Sequence, residues 1–371
     1  MTVLFVNGWC RNGSTILGNI LNEVPGIFHV GELHFLWKNA AGQGVNGLCG
    51  CGAALVDCPV WSVILPVGLP AGTSPGTSPG SSAGSSPGSL APEYAAEVIR
   101  RQRAYVRTRH TWRVLGRGID SDGLRAHAEL MSRTYSAVAE QTGARILVDT
   151  TKISGEAALL PHLAGVNPYF VHLVRDPVAV ASSWREPKDY VYAMSSARST
   201  VYWQGFNLGA RAVSRRYPQR SLFVRYEDFV DEPAGTIDKL LRLCGADPAA
   251  NPVHGRTVEL HTNHTVTGNP DRFRTGSTVI GQRSAAAVTG LPLRSRLAAR
   301  TLSLPLAWRY GYATVPGRSH RSPQGGRPPG TQPGTPPGTP PVTQPGTPPM
   351  AQPVTAPREP GLEEGTVGSG A

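Results

Sequence analysis

The chain has 371 residues, and its 36 Lys and Arg against 25 Asp and Glu give it a formal net charge of +11. The basic excess suits a polyanionic ligand. The chain contains no Lys/Arg-rich run with interleaved aromatic residues, so we expect no nucleic-acid partner. We also expect no membrane span, because no apolar run is long enough for one. The start, MTVLFVNGWC, lacks the basic segment of a signal peptide. The lack of a signal-peptide pattern, together with an odd number of cysteines, five, predicts reduced thiols and a cytoplasmic location.

Two stretches differ from the rest of the chain in composition. Residues 66–92 contain no charged residue and consist almost entirely of Gly, Ser, Pro, Thr and Ala, and residues 316–371 repeat PGTPP-like units. Such sequences bury too little apolar surface to offset the entropy lost on ordering, so we predict that both are disordered. The rest of residues 1–315 is long enough for one substantial domain.

Strands and helices alternate along this domain. The predicted strands are 2–6, 27–31, 144–151, 169–176 and 221–230. One predicted helix starts at Ser14, and others cover 93–110, 122–142 and 195–216. A further helix begins at Pro177, with Asp176 as its capping residue, and the last one follows Glu232. This order predicts an α/β fold of three layers, α/β/α, with a central parallel sheet. In such sheets ligands bind at the carboxyl ends of the strands, so the residues that follow each strand are the candidates for a site.

The first strand is followed by GWCRNGST, residues 8–15, which has the spacing of a phosphate-binding P-loop. A nucleotide triphosphatase carries Lys after the second Gly, and here that position is Ser14. The backbone amides of the loop would lie at a helix N-terminus and point at an anion. Arg11 adds a fork of donors for phosphate or sulfate oxygens. The structural alternative is a glycine-rich turn with a surface arginine.

The second strand is followed by GELHFLW, which contains two candidate bases. A carboxylate beside an anion site repels the anion, so Glu32 needs a reason to be there. One reason is general-base catalysis on an acceptor hydroxyl. The alternative is an acid in the first turn of a helix, which is a common arrangement. His34 is the second candidate base.

The third and fourth strands are followed by VDTTK and LVRDPVAVASSW. Asp149 ends its strand as a magnesium-binding acid would, or it caps the next helix. Lys152 is placed to reach the anion site. Arg175 and Ser183, two helical turns apart, could hold one phosphate from two directions, although Arg-Asp-Pro is often only a helix cap.

Taken together and in this order, CRNGSTIL, GELHFLW, VDTTK and LVRDPVAVASSW resemble the PAPS-dependent sulfotransferases, especially their bacterial branch. The segments VRYEDF, GNPDRFRTG and RYGY are similar to later motifs of the same family. The resemblance spans residues 1–315 and implies a P-loop-like fold. It also explains the missing lysine, because the donor, 3′-phosphoadenosine 5′-phosphosulfate, has no γ-phosphate. The family's reaction normally needs no metal.

The resemblance assigns a role to individual residues. It implies that the 5′-phosphosulfate loop consists of Arg11, Asn12, Gly13, Ser14 and Thr15. It implies that Arg175 and Ser183 hold the 3′-phosphate and that Arg272 and Arg274 close over it. Tyr226 would lie beside the adenine. For catalysis the resemblance implies Glu32 as the base in preference to His34, with Arg11 and Lys152 stabilising charge on the bridging oxygen. GNPDRFRTG, residues 268–276, corresponds to a late loop of the family and is called the late loop below. The segment after it, VIGQRSAAAVTGLPLRSR, departs from the family, which carries an acidic residue and a tryptophan there.

The implied activity is sulfuryl transfer from this donor to a hydroxyl or amine of a small-molecule, lipid or carbohydrate acceptor, with release of 3′,5′-bisphosphoadenosine. The acceptor would lie against the helices at 93–142 and 185–215, and the sequence indicates neither its identity nor the oligomeric state. A first alternative is a P-loop small-molecule kinase, against which the missing lysine argues, because that lysine neutralises charge on a transferred phosphoryl group. A second is a non-catalytic nucleotide-binding adaptor whose proline-rich tail recruits a partner.

Three cysteines, Cys49, Cys51 and Cys58, form a C-x-C-x6-C pattern that recurs in bacterial relatives. Three thiolates suit zinc, but a structural zinc ion takes four protein ligands, and the sequence indicates no fourth. We therefore predict no metal site from the sequence.

Overall fold

A five-stranded parallel sheet in the order β2-β3-β1-β4-β5 forms the centre of the computed structural model, which describes residues 1–65, 90, 92–185, 193–281 and 291–312. The strands of this sheet are β1 (Thr2–Asn7), β2 (Ile27–Gly31), β3 (Ile146–Lys152), β4 (Asn167–Val174) and β5 (Ser221–Arg225). A separate antiparallel pair consists of β6 (Thr257–Leu260) and β7 (Gly276–Val279). Because β1 lies between β3 and β4, the loop after β1 lies at the middle of the sheet's carboxyl edge.

Helices precede and follow the strands along the chain. They are α1 (Ser14–Asn22), α2 (Leu36–Ala40), α3 (Trp61–Ile64), α4 (Pro92–Tyr105), α5 (Thr111–Arg117), α6 (Asp122–Thr142), α7 (Ser154–Leu159), α8 (Pro177–Arg185), α9 (Ser196–Arg216), α10 (Tyr226–Asp231), α11 (Pro233–Cys244) and α12 (Leu293–Arg309). Among the residues described, no helix combines the length and the apolar character needed to cross a bilayer.

The two faces of the sheet pack against different helices. Alternate residues of a strand point to opposite faces. Accordingly, Val3 and Phe5 of β1 pack in one core with apolar residues of α2 to α7. Leu4 and Val6 pack in a second core with α1, α10 and α11. The predicted three-layer α/β/α fold with a parallel sheet is therefore confirmed.

Two predicted elements end more than two residues away from their predicted ends. The strand predicted at 221–230 ends at Arg225, and Tyr226–Asp231 is helical instead, with Glu227 and Asp228 in its first turn, where acidic residues are favourable. The helix predicted at 93–110 ends at Tyr105 and is followed by a separate 3-10 turn at Thr108–His110.

The two low-complexity stretches lie outside the described residues, apart from the end of the first. There Leu90 is buried in the core and Pro92 begins α4.

The end of β1 depends on a glycine. Gly8 has a φ of 138°, and a Cβ at this position would meet the carbonyl oxygen of Leu173 at 2.3 Å. We expect Gly8→Ala to lower the free energy of unfolding by about 2 kcal/mol or more, since both the backbone strain and the overlap oppose the native fold. Urea unfolding followed by tryptophan fluorescence measures this. Gly47→Ala is the control, because a Cβ there has nothing within 4 Å. Equal stability of the two variants would contradict this account of the turn.

Candidate active site

A cleft of about 830 Å³, counting the space at its open mouth, lies at the carboxyl edge of the sheet. Its lining residues are Cys10, Arg11, Gly13, Ser14, Thr15, Ile16, Glu32, Asn46, Lys152, Arg175, Ser183, Trp184, Tyr226, Thr267, Gly268, Asn269 and Asp271. Each of the five parallel strands thus contributes a lining residue from the segment at or just beyond its carboxyl end.

The loop after β1 directs the N-terminus of α1 at this cleft. Gly13, with φ 91°, precedes the helix, and a Cβ on it would overlap the ring of Tyr226 at 2.4 Å. Ser14 and Thr15 begin the helix and line the cleft. No acidic side chain occupies the first turn of α1, so the partial positive charge of its N-terminus is available to an anion.

Asn12 of the same loop is turned away from the cleft. It is buried, its Nδ2 donates to the carbonyl oxygen of Leu173 at 2.8 Å, and its Oδ1 accepts from the backbone N–H of Ser14 at 3.2 Å. The side chain therefore ties the loop to β4. The structure does not bring this predicted donor ligand to the cleft wall.

Two cations of the cleft are held by an unusual backbone conformation. Among the described residues, Arg11 and Lys152 are the non-glycine residues with positive φ, at 71° and 69°. Such conformations cost about 1–3 kcal/mol each and concentrate at functional sites. The Arg11 guanidinium lies 5.0 Å from the ring centroid of Trp184, which places it against an aromatic wall of the cleft.

Glu32 and Lys152 form an ion pair at the edge of the cleft. The Lys152 Nζ donates to Glu32 Oε1 at 2.7 Å and to the carbonyl oxygen of Thr150 at 2.5 Å. Lys152 is almost fully buried, whereas 15% of the Glu32 side chain is exposed. The structure therefore brings together the predicted base and the predicted supporting cation, and the carboxylate keeps a surface toward the open cleft.

His34, the other candidate base, faces a different part of the protein. Its Nδ1 lies 2.7 Å from Glu156 Oε1, and His127 Nε2 lies 3.3 Å from the same carboxylate. Burial alone would raise the pKa of the Glu156 carboxyl, but the neighbouring His127 and His34 lower it to about 2. His34 is not among the lining residues of the cleft, so the geometry favours Glu32.

Asp149 is buried behind the cleft. Its carboxylate accepts hydrogen bonds from the hydroxyl of Tyr135 at 2.6 Å and the backbone N–H of Thr151 at 2.8 Å. Burial raises the pKa of Asp149 to about 6, although these hydrogen bonds oppose the rise. The carboxylate orders the end of β3 and does not line the cleft.

Arg175 and Tyr226 meet beside the loop. The Arg175 guanidinium lies 4.5 Å from the ring centroid of Tyr226, and its Nη1 donates to the carbonyl oxygen of Arg11 at 3.0 Å. Ser183 lines the same cleft from α8. Arg175, predicted for the 3′-phosphate, and Tyr226, predicted for the adenine, are therefore adjacent.

The end of β4 and the start of α8 and α10 are joined by polar contacts that fix these side chains. Asp176 Oδ1 accepts from the backbone N–H groups of Val178 and Ala179, which confirms it as the cap of α8. Glu227 accepts from the backbone N–H of Asp176 at 3.0 Å and from the hydroxyl of Tyr312 at 2.6 Å. These contacts give VRYEDF and RYGY a structural role beside Arg175.

The late loop closes the cleft, but not with its arginines. Arg272 is buried, and its Nη1 donates to the carbonyl oxygen of Gly268 at 2.6 Å. Arg274 is half-exposed and pairs with Asp271 at 3.6 Å. Neither is a lining residue, whereas Gly268 and Asn269 are. The structure therefore does not bring the two predicted arginines to the cleft.

Several lining residues were missed by the sequence reasoning. Trp184 stacks on Trp9 with ring centroids 5.5 Å apart, and it directly follows the predicted Ser183. Asn269 lies within the GNPDRFRTG segment, which drew attention only to its arginines. Asn46 belongs to a Gly-rich segment with no pattern that would have identified it.

Comparison with known proteins gives a family match for part of the chain. Residues 86–249 match the family described as the sulfotransferase family. A search among curated proteins found no match. The sulfotransferase domain of the olefin synthase from Synechococcus PCC 7002 is 20% identical, with a TM-score of 0.45, covering 83% of this chain and 94% of that one. Sulfotransferase STF9 from Mycobacterium avium is 13% identical, with a TM-score of 0.40, covering 82% and 76%.

The family match confirms the predicted resemblance to sulfotransferases. The matched segment contains Lys152, Arg175, Ser183 and Tyr226. The loop after β1, Glu32 and the late loop lie outside it, so their roles rest on the geometry described above.

The buried Glu156 cluster gives a prediction about pH. Because the folded-state pKa of Glu156 lies below its unfolded value, its contribution to stability is present in full above about pH 4.5 and is lost as the pH falls toward 2. We expect the stability difference between the wild type and Glu156→Gln to shrink by roughly 2 kcal/mol between about pH 4.5 and about pH 3. Urea unfolding from about pH 6 to about pH 3 measures it.

The control is Glu97→Gln, because Glu97 contacts two arginines, Arg100 and Arg101, but on the exposed surface. Its effect on stability should be small. A Glu156→Gln difference that stays constant with pH would contradict the account of the cluster.

Proposed function

We propose that this chain, an enzyme of the sulfotransferase family, transfers a sulfuryl group from 3′-phosphoadenosine 5′-phosphosulfate to a hydroxyl or amine of an acceptor and releases 3′,5′-bisphosphoadenosine. The observation that carries the proposal is the cleft in which a lysine-free phosphate loop, Arg175 with Ser183, and Glu32 with Lys152 face one space. Two anion-binding groups and a carboxylate are what a bisphosphate donor and an acceptor hydroxyl require.

The donor would lie along the loop side of the cleft. The N-terminus of α1, with Ser14 and Thr15, suits the 5′-phosphosulfate, because backbone N–H groups and hydroxyls there donate to an anion. We assign the 3′-phosphate to Arg175 and Ser183, and the adenine to the ring of Tyr226. For Arg272 and Arg274, contact with the donor would require the late loop to rearrange, since their guanidinium groups are engaged elsewhere.

The acceptor would approach the sulfur from the side of Glu32. The oxygen of the acceptor hydroxyl forms a bond to sulfur, and the Glu32 carboxylate takes the hydroxyl proton. At the same time, the bond between sulfur and the bridging oxygen breaks. The electron pair of that bond stays with the 5′-phosphate of the departing bisphosphate. Glu32 keeps part of its surface in the cleft, which supports this role.

Positive groups would stabilise the charge that develops on the bridging oxygen. We assign this to Arg11 and to the N-terminus of α1, with Lys152 in support. An ammonium carries three donors. In the structure the Lys152 ammonium contacts Glu32 and the carbonyl oxygen of Thr150, and we assign its third N–H to an oxygen of the sulfuryl group. In this arrangement one side chain orients the base and contacts the transferred group.

Glu32→Gln is expected to lower the turnover number by about 10²–10⁴-fold while leaving bisphosphate affinity unchanged, because an amide cannot accept the proton. The assay follows radioactive sulfur from labelled donor into a panel of hydroxyl and amine acceptors, and calorimetry measures binding of the bisphosphate to the same variant.

His34→Gln is the matched control, since His34 contacts Glu156 outside the cleft. It should retain turnover within a few-fold of the wild type. Loss of turnover in His34→Gln with near-normal turnover in Glu32→Gln would contradict the assignment of the base. Transfer of phosphate from ATP, with no transfer of sulfur, would contradict the proposed function itself.

A further inference from the structure

Outside the cleft, the structure brings the three clustered cysteines together with a histidine that is distant in the sequence. Cys49, Cys51, Cys58 and His264 place one potential ligand atom each within 4.8 Å of one another. His264 is 206 residues beyond Cys58, so no local spacing in the sequence links it to the cysteines. All the cysteines of the cluster are free thiols.

We propose that these four residues bind a structural zinc ion. With Zn–S bonds of about 2.3 Å and Zn–N bonds of about 2.0 Å, a tetrahedral site places sulfur atoms roughly 3.8 Å apart and sulfur and nitrogen roughly 3.5 Å apart. The Sγ of Cys58 lies 3.5 Å from that of Cys49 and 3.9 Å from that of Cys51. The Nδ1 of His264 lies 3.8 Å from Cys49 Sγ and 3.3 Å from Cys58 Sγ. These four separations lie within about 0.3 Å of the tetrahedral values, and the separations of Cys51 Sγ from Cys49 Sγ and from His264 are no more than 4.8 Å.

The ligand chemistry selects zinc over the other common ions. Three thiolates and one imidazole form a soft, four-ligand set, and Cys₃His is one of the established combinations of structural zinc sites. Magnesium and calcium require oxygen ligands, and the cluster contains none. All four positions of the tetrahedron are supplied by the protein, which is typical of a structural ion and leaves no open position for catalysis.

The backbone around the cysteines is folded tightly enough to hold them. The N–H of Cys49 donates to the carbonyl oxygen of Ala53 at 2.8 Å, and the N–H of Gly52, with φ 88°, donates to the carbonyl oxygen of Cys49 at 2.9 Å. This turn brings Cys49 and Cys51 side by side. Leu48 and Ala54 form an antiparallel bridge that closes it.

Contacts made by the neighbouring residues hold His264 in place. The Nε1 of Trp61 donates to the carbonyl oxygen of His264 at 2.6 Å. Asn263 Oδ1 accepts from the N–H of Thr265 at 3.2 Å, which forms a turn around His264. The N–H of Gly50 donates to the carbonyl oxygen of Thr265 at 3.0 Å, so the two segments already touch beside the cluster. Protein contacts thus preorganise the four ligands.

The position of the cluster indicates what the ion would do. His264 lies three residues before Thr267 and four before Gly268, both of which line the cleft. The N–H of Val266 donates to the carbonyl oxygen of Val30, in the strand that ends just before Glu32. A zinc ion would therefore fix the late loop to the segment after α2 and hold one wall of the cleft, without contacting the reacting groups.

The direct test is elemental analysis of the full-length chain, purified under reducing conditions without an immobilised-metal column. We expect about one zinc per chain in the wild type and less than about a fifth of that in Cys58→Ala and His264→Ala, because three ligands hold zinc far more weakly than four. Cys244→Ala is the matched control, since Cys244 is a buried cysteine in α11 outside the cluster, and it should retain its zinc.

A second measurement on the unaltered chain applies if the variants fail to fold. Exchange of the metal for Co²⁺ should produce intense sulfur-to-cobalt charge-transfer absorption together with the visible bands of a tetrahedral ion. Titration with a mercurial should release zinc in proportion to the thiols modified.

Four results would overturn the proposal: a zinc content below about a tenth of an ion per chain with the thiols reduced, a disulfide between two of the three cysteines, a cobalt form without sulfur charge transfer, or full zinc retention in Cys58→Ala. None of these readouts involves sulfuryl transfer, so failure here leaves the proposed function to be judged by its own assay.

Discussion

The parallel arrangement of five strands is the constraint on which the site depends. In a parallel sheet every strand ends at the same edge, so residues far apart in the chain meet there without any long loop. Glu32 and Lys152 are 120 residues apart in sequence and form an ion pair because β2 and β3 are neighbours. Arg11 and Arg175 meet because β1 and β4 are neighbours. The buried contacts of the sheet therefore determine the charge distribution of the cleft.

Backbone conformation refines what the sheet brings together. The positive φ of Lys152 coincides with an irregularity in the pairing of β1 with β3, between Phe5 and Asn7. At this irregularity the Lys152 ammonium contacts Glu32. Local strain of this kind is stable only where the surrounding contacts overdetermine it, as the burial of Lys152 indicates.

The sequence predicted the fold and the part of the site that depends on strand ends. Short-range patterns identify strands, the helix cap at Asp176 and the loop before α1, and the rule for parallel sheets then brings their ends together. Glu32, Lys152 and Arg175 were found in this way.

The sequence did not predict which way side chains turn within those segments. Asn12 faces β4 because its side chain donates to the carbonyl oxygen of Leu173, which is 161 residues away. Arg272 donates to the carbonyl oxygen of Gly268 in its own loop and to Asn46, which is 226 residues away. His264 was missed for the same reason. It joins the cysteines only through the packing of the late loop on the segment after α2, and no periodic pattern encodes that contact.

Calorimetric titration of the full-length protein with 3′,5′-bisphosphoadenosine, run beside ATP with magnesium, tests the central claim most directly. The account predicts that the bisphosphate binds without added magnesium and that Arg175→Ala weakens this binding by about 10–100-fold, the loss expected for a charged hydrogen-bonding partner. Arg100→Ala, which removes an exposed arginine paired with Glu97, should leave the affinity unchanged. Preference for ATP with magnesium, or an Arg175→Ala variant that binds the bisphosphate as the wild type does, would contradict the assignment of the cleft as a sulfuryl-donor site.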